Sequence, residues 1–96
     1  MIQLDTVITR NDSVLFNSLG AELVMMNIDK GEYYNLDVIG AHIWTLLEQP
    51  IIISSLCERL MTEYAVEVQT CQQDVLDFVR EMSALDVVTI LADKKS

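Results

Sequence analysis

The apolar pattern of this chain changes period near Asp37, and any fold for it must accommodate that change. Before this point the apolar residues come in short runs separated by turn-forming clusters. Val7-Ile8 is followed by Asn11-Asp12-Ser13, and Val14-Leu15-Phe16 by Asn17-Ser18-Leu19-Gly20. Side chains of Asn, Asp and Ser bond their own backbone and favour turns. Residues 22–28 form the longest strand candidate. Asn27-Ile28-Asp29-Lys30-Gly31 then supplies hairpin chemistry, with Gly31 free to take positive φ. Residues 32–36 return as a Tyr-rich strand. Which of the two earliest runs pairs with this hairpin is left open by the pattern.

After Asp37 the spacing becomes helical. Ile39, Ile43, Leu46 and Leu47 recur at helical intervals, Trp44 widens the stripe, and Asn35 or Asp37 can cap a helix reaching about Glu48. Pro50 stops it. A second helix is expected from Ser54-Ser55, with Ser55 and Glu58 as a capping box and Leu56, Leu60 and Tyr64 on one face. Val66-Glu67-Val68 reads as an extended link. Thr70 and Gln73 offer another box for a third helix that runs to about Leu85 and carries Asp74 in its first turn. Val87 to Leu91 closes the chain as a short strand or a packed tail. Strands gathered before helices indicate an α+β fold, expected here as a three-stranded antiparallel sheet followed by three helices. Residues 1–92 are expected to form one domain, and 93–96 a polar tail. At 96 residues and 51% hydrophobic composition the chain can bury a core without staples.

Charge narrows the partners. The net charge is −9, with only six Lys and Arg. A nucleic-acid binder needs cations against phosphates, and an anionic membrane surface repels such a chain. Neither partner is expected; a basic or neutral polar one fits better. No charged opening region precedes an apolar stretch, and no apolar run approaches the ~20 residues that span a bilayer. The expected location is cytoplasmic, with Cys57 and Cys71 reduced.

Catalysis needs a nucleophile with a base, paired carboxylates or a metal cluster. The one histidine, His42, stands mid-helix without a Cys or carboxylate at ligand spacing, so it reads as an ordinary helical residue. Cys57 reads as core, and no Cys-x-x-Cys motif is present. No catalytic residue, metal or cofactor is expected. Asp74, Asp77 and Glu81 lie at spacings of three and four on the third helix, either as a solvated face or as a rail for groups on a peptide. Of Tyr33 and Tyr34, adjacent on a strand, one faces the core and one is exposed. Met25 and Met26 cannot both be buried if that sheet has one wet face. A Tyr-bearing strand at a sheet edge could accept an added strand.

Gly31-Glu32-Tyr33-Tyr34-Asn35-Leu36-Asp37, followed by Ile43-Trp44-Thr45-Leu46-Leu47-Glu48, resembles the PqqD-like family. Leu56, Leu60 and Tyr64 fit its second helix, and Asp74-Val75-Leu76-Asp77-Phe78-Val79 its third. The resemblance runs from about Val7 to Leu91. Asn35 precedes Leu36 where the family has Leu-Asn, Gln49-Pro50 follows the first helix where a Gly is frequent, and Asp86 stands where a Gly commonly precedes the closing apolar pair. With these departures the chain is most similar to the stand-alone members of lasso-peptide clusters.

The resemblance implies a RiPP recognition element with a winged-helix-like fold. The leader of a ribosomally made precursor adds as a strand along Glu32, Tyr33, Tyr34, Asn35 and Leu36. Groove residues on the third helix come from Asp74, Val75, Phe78 and Glu81. The partners it implies are the precursor leader peptide, a leader peptidase and a macrolactam-forming enzyme. An exposed edge strand would leave the protein a monomer or weak dimer. The rival reading is an acidic winged-helix protein serving as a regulatory or structural subunit.

Overall fold

The structure, a computed structural model, describes residues 2–93. In chain order the elements are β1 (Thr6–Arg10), β2 (Val14–Leu19), β3 (Glu22–Asn27), β4 (Glu32–Leu36), α1 (Val38–Leu46), β5 (Ile51–Ile52), α2 (Ile53–Glu63), α3 (Val68–Ala84) and β6 (Val88–Asp93). Asp93 therefore ends a strand, and residues 94–96 of the expected tail lie outside the described residues.

The chain is α+β with three helices, but it forms two three-stranded antiparallel sheets where one was expected. They are ordered β2-β3-β4 and β5-β1-β6. The first is a local meander. Its β2–β3 turn is the two-residue loop Gly20-Ala21, with positive φ at Gly20 (67°). Asn17 to Leu19, which look like turn residues, continue β2 because an edge strand with a wet face tolerates polar side chains. The second sheet joins the earliest apolar run to Ile51-Ile52 and to the closing run. The closing run is thus a strand, and both partners of β1 lie far along the chain.

Trp44, Leu47, Ile53, Leu56, Val79 and Val87 are fully buried and fix the helices against the sheets. Arg10 ties β1 to the end of α1: its Nε donates to the Trp44 carbonyl at 2.9 Å, and its guanidinium lies over the Phe16 and Trp44 rings at 4.7 and 5.2 Å. Met25 is buried, whereas Met26 is half-buried on the outer face.

Helix α1 begins as expected. The Asp37 carboxylate accepts the Gly40 N–H at 2.8 Å. Neither of the other expected caps forms. Helix α2 starts at Ile53, where the Ser54 N–H donates to the Leu4 carbonyl at 2.8 Å, so a backbone group from the N-terminal segment meets a donor that a side chain would otherwise satisfy. Helix α3 starts at Val68, ahead of Thr70, whose hydroxyl donates to Glu67 Oε1 at 3.4 Å. Asp74 consequently lies in the second turn of α3, not the first.

Helix α3 ends in a Schellman arrangement, in which the Asp86 N–H bonds the Ser83 carbonyl and the Val87 N–H bonds the Met82 carbonyl. Asp86 is left-handed, with φ 60°, a conformation that costs an L-residue with a side chain and suits glycine. Its carboxylate meets Lys30 at 3.3 Å in an exposed pair, which returns little. Asp86→Gly is therefore expected to stabilise the fold by about 0.5–1 kcal/mol, raising Tm by a few degrees in a thermal melt. A lowered Tm would show that the Lys30 pair outweighs the backbone strain.

Candidate functional site

Strand β4 has one hydrogen-bonded neighbour, β3, among the described residues, so its other edge is open. Both ends of this strand are held near α3. At its start the buried Asn27 sends its Nδ2 to the Leu85 and Asp86 carbonyls, at 3.2 and 3.4 Å, and Lys30 pairs with Asp86. At its end Leu36 and Phe78 of α3 converge on Gly40, where a Cβ would lie 3.3 Å from Leu36 Cβ and 3.4 Å from Phe78 Cε1. The bare Gly40 is what lets strand, α1 and α3 approach this closely. A glycine inside a helix costs about 1 kcal/mol relative to alanine, which was the sequence signal that it had a packing reason to be there.

Alternation along β4 divides the expected strand residues between two faces. Glu32, Tyr34 and Leu36 stand across from Asn27, Met25 and Leu23, the buried positions of β3. Tyr33 and Asn35 point to the outer face, and Tyr33 is 73% exposed there, in one cross-strand row with Met26 and Leu15. The Tyr34 hydroxyl donates to Glu32 Oε1 at 2.7 Å. That bond, together with partial desolvation and the charges of Glu32 and Asp86, raises the phenol pKa, so Tyr34 remains a protonated donor.

The α3 residues also separate. Val75 is buried and Phe78 half-buried, while Asp74 and Glu81 are exposed. At about 100° per residue Asp74, Phe78 and Glu81 share one stripe. Asp77 turns away from it and accepts from Gln73 Nε2 at 3.0 Å and Arg80 at 3.2 Å. The three-carboxylate row is thus two acids on one stripe and a third engaged on its own solvent side.

A cavity of about 250 Å³ opens where α1, α2 and α3 meet beside the end of β4. Asp74, Val75 and Phe78 line it from α3, with Ile39 and Gly40 from α1 and Tyr64 from the end of α2. Tyr64 is held by its hydroxyl, 3.1 Å from His42 Nδ1. Neither Gly40 nor Tyr64 was marked as a site residue by pattern, because the cavity exists only once three helices pack. Cys71 also borders it but is buried. Burial, followed by the influence of Cys71, pushes the Cys57 thiol up to about 11, which leaves it protonated and unreactive at neutral pH. Among the described residues no group of three or more His, Cys, Asp and Glu could hold a metal ion, and no helix is long and apolar enough to cross a membrane.

Comparison with known proteins bears on this geometry. The profile of the family described as "Coenzyme PQQ synthesis protein D (PqqD)" matches residues 22–88, a span that includes β3, β4 and all three helices. A solved structure of TbiB1 in complex with the TbiA(beta) leader peptide is similar, with TM-score 0.81 and 28% sequence identity. The match covers 88% of this chain and 99% of that one. No curated protein sequence matches the chain.

Proposed function

The chain belongs to the PqqD family, and we propose on that premise that it is a non-catalytic adaptor that binds the leader segment of a ribosomally made precursor peptide. The observation that carries this reading is the open edge of β4 set beside α3, with an apolar cavity at its end. An extended peptide laid along Glu32 to Leu36 completes the unpaired backbone groups of the strand. Main-chain bonds supply affinity irrespective of sequence, and the wall formed by Asp74, Val75, Phe78 and Glu81 supplies side-chain choice. Tyr33 and Asn35 contribute through their backbone, since their side chains face away. The similarity to TbiB1, solved with a leader peptide, supports the same occupant here.

In this reading residues 1–92 act as one peptide-binding unit of winged-helix-like form, with β2 to β4 as the wing. The adaptor works in the cytoplasm as a monomer or weak dimer. It presents the bound precursor to a leader peptidase and a macrolactam-forming enzyme in a lasso-peptide pathway, and itself moves no bond.

Titrating the intact chain with the leader of the precursor encoded beside it tests the central claim. Saturable binding is expected, with amide shifts in an NMR titration concentrated on residues 32–36 and the facing side of α3. Absence of binding sinks the reading, and shifts confined to β6 or β2 would relocate the site.

A further inference from the structure

We propose that the cavity at the end of β4 takes a basic side chain, lysine or arginine, from the peptide lying along that strand. This deepens the peptide-binding reading and rests on it.

The cavity has two chemistries. Its walls are apolar, with Ile39, Ile43, Leu60 and Val75 among them, while Asp37 and Asp74 add two carboxylates and no Lys or Arg among the described residues lines it. Both aspartates are exposed, so they mark the wet side of the cavity while the buried Ile43, Leu60 and Val75 mark its interior. A side chain that satisfies both parts needs an apolar stem and a cationic head. Lys and Arg have that construction and place the stem on apolar surface with the charge at its margin.

Of the two acids that line the cavity, charge balance singles out Asp74. Asp77 is matched by Arg80 and Asp86 by Lys30. Asp37 spends one oxygen on the Gly40 N–H. Asp74 has no hydrogen-bonding or ionic partner among the described residues. In a chain of net charge −9 with six Lys and Arg, the cation for this carboxylate is best supplied by the ligand. An aliphatic or aromatic side chain would fill the apolar part but gain no attraction from the two carboxylates, and an acidic one would be repelled.

The test pairs the leader peptide with single Lys→Met and Arg→Met versions of it, each titrated by fluorescence anisotropy against the intact chain, Asp74→Asn and Asp77→Asn. One basic position is expected to lose about fivefold in affinity on replacement, the factor of an exposed ion pair. Asp74→Asn should lose the same factor with the unaltered peptide, and the two changes combined should lose no more than either alone. Asp77→Asn should leave Kd unchanged, and circular dichroism should show that the variants are folded. The proposal is overturned if the leader binds but Asp74→Asn leaves Kd unchanged, if the losses simply add, or if a leader without Lys or Arg binds as tightly. A leader that does not bind the intact chain at all refutes the underlying peptide-binding reading instead, and the proposal with it.

Discussion

Trp44→Ala is expected to remove about 3–5 kcal/mol of stability, the cost of deleting a large aromatic from a packed core. Domains of this size have roughly 5–15 kcal/mol in total, so the variant would sit at the edge of unfolding. Trp44 has no exposed surface, meets Phe16 edge-to-face at 5.8 Å and lies under the Arg10 guanidinium. Its ring therefore supports β1 and β2 from α1, and its loss opens a cavity between both sheets. One polar atom works against it: the buried indole Nε1 finds no hydrogen-bond partner among the described residues. An unsatisfied buried donor costs about 1–3 kcal/mol. Trp44→Phe removes that donor while keeping an aromatic ring, so it is expected to fall within about 1 kcal/mol of the parent, relief of the donor offsetting the smaller ring. Urea denaturation followed by far-UV circular dichroism measures both, since the chain has a single Trp whose fluorescence the substitutions remove. An unchanged midpoint for Trp44→Ala would contradict the burial assigned to it.

Phe78→Ala is expected to weaken leader binding by more than tenfold, about 1.4 kcal/mol or more. Phe78 combines two roles. Its Cε1 edge packs at Gly40, where β4 passes into α1, and the ring forms part of the cavity wall. Truncation would widen the cavity and remove the aromatic surface against which a peptide side chain lies. Because the ring is only half-buried, the stability loss should stay below that of Trp44→Ala, leaving a folded protein whose titration can be read. A Kd within twofold of the parent, in a variant shown to be folded, would exclude the α3 side of the groove from peptide contact.

What pattern alone could read, and what it could not, follows from how local each interaction is. The Asp37 cap was legible because donor and acceptor lie three residues apart. The split of Tyr33 from Tyr34 and of Met25 from Met26 follows from the two-residue period of a strand. The cap expected at Ser55 failed for the opposite reason: the start of α2 bonds a backbone carbonyl of the N-terminal segment, which no local window contains. The second sheet was hidden likewise, since β1 finds its partners in Ile51-Ile52 and the closing run. On α3, spacing suggested a row of three acids, and only the position of Arg80 shows which of them is already matched. Asp86 in place of a commoner glycine was visible as a departure, but its left-handed backbone was not.

The pairing of β1 with β6 also sets an order of events during synthesis. The β2-β3-β4 meander closes over short loops and can form as soon as it leaves the ribosome, since nearby strands close at small entropic cost. β1 emerges first yet cannot complete its sheet until β6, which begins at Val88, has been made. Until α3 has been made, within that interval, the nascent chain displays β4 without the wall that later flanks it. The finished groove is thus assembled from an early strand and a later helix, and peptide capture has to wait until α3 has been made.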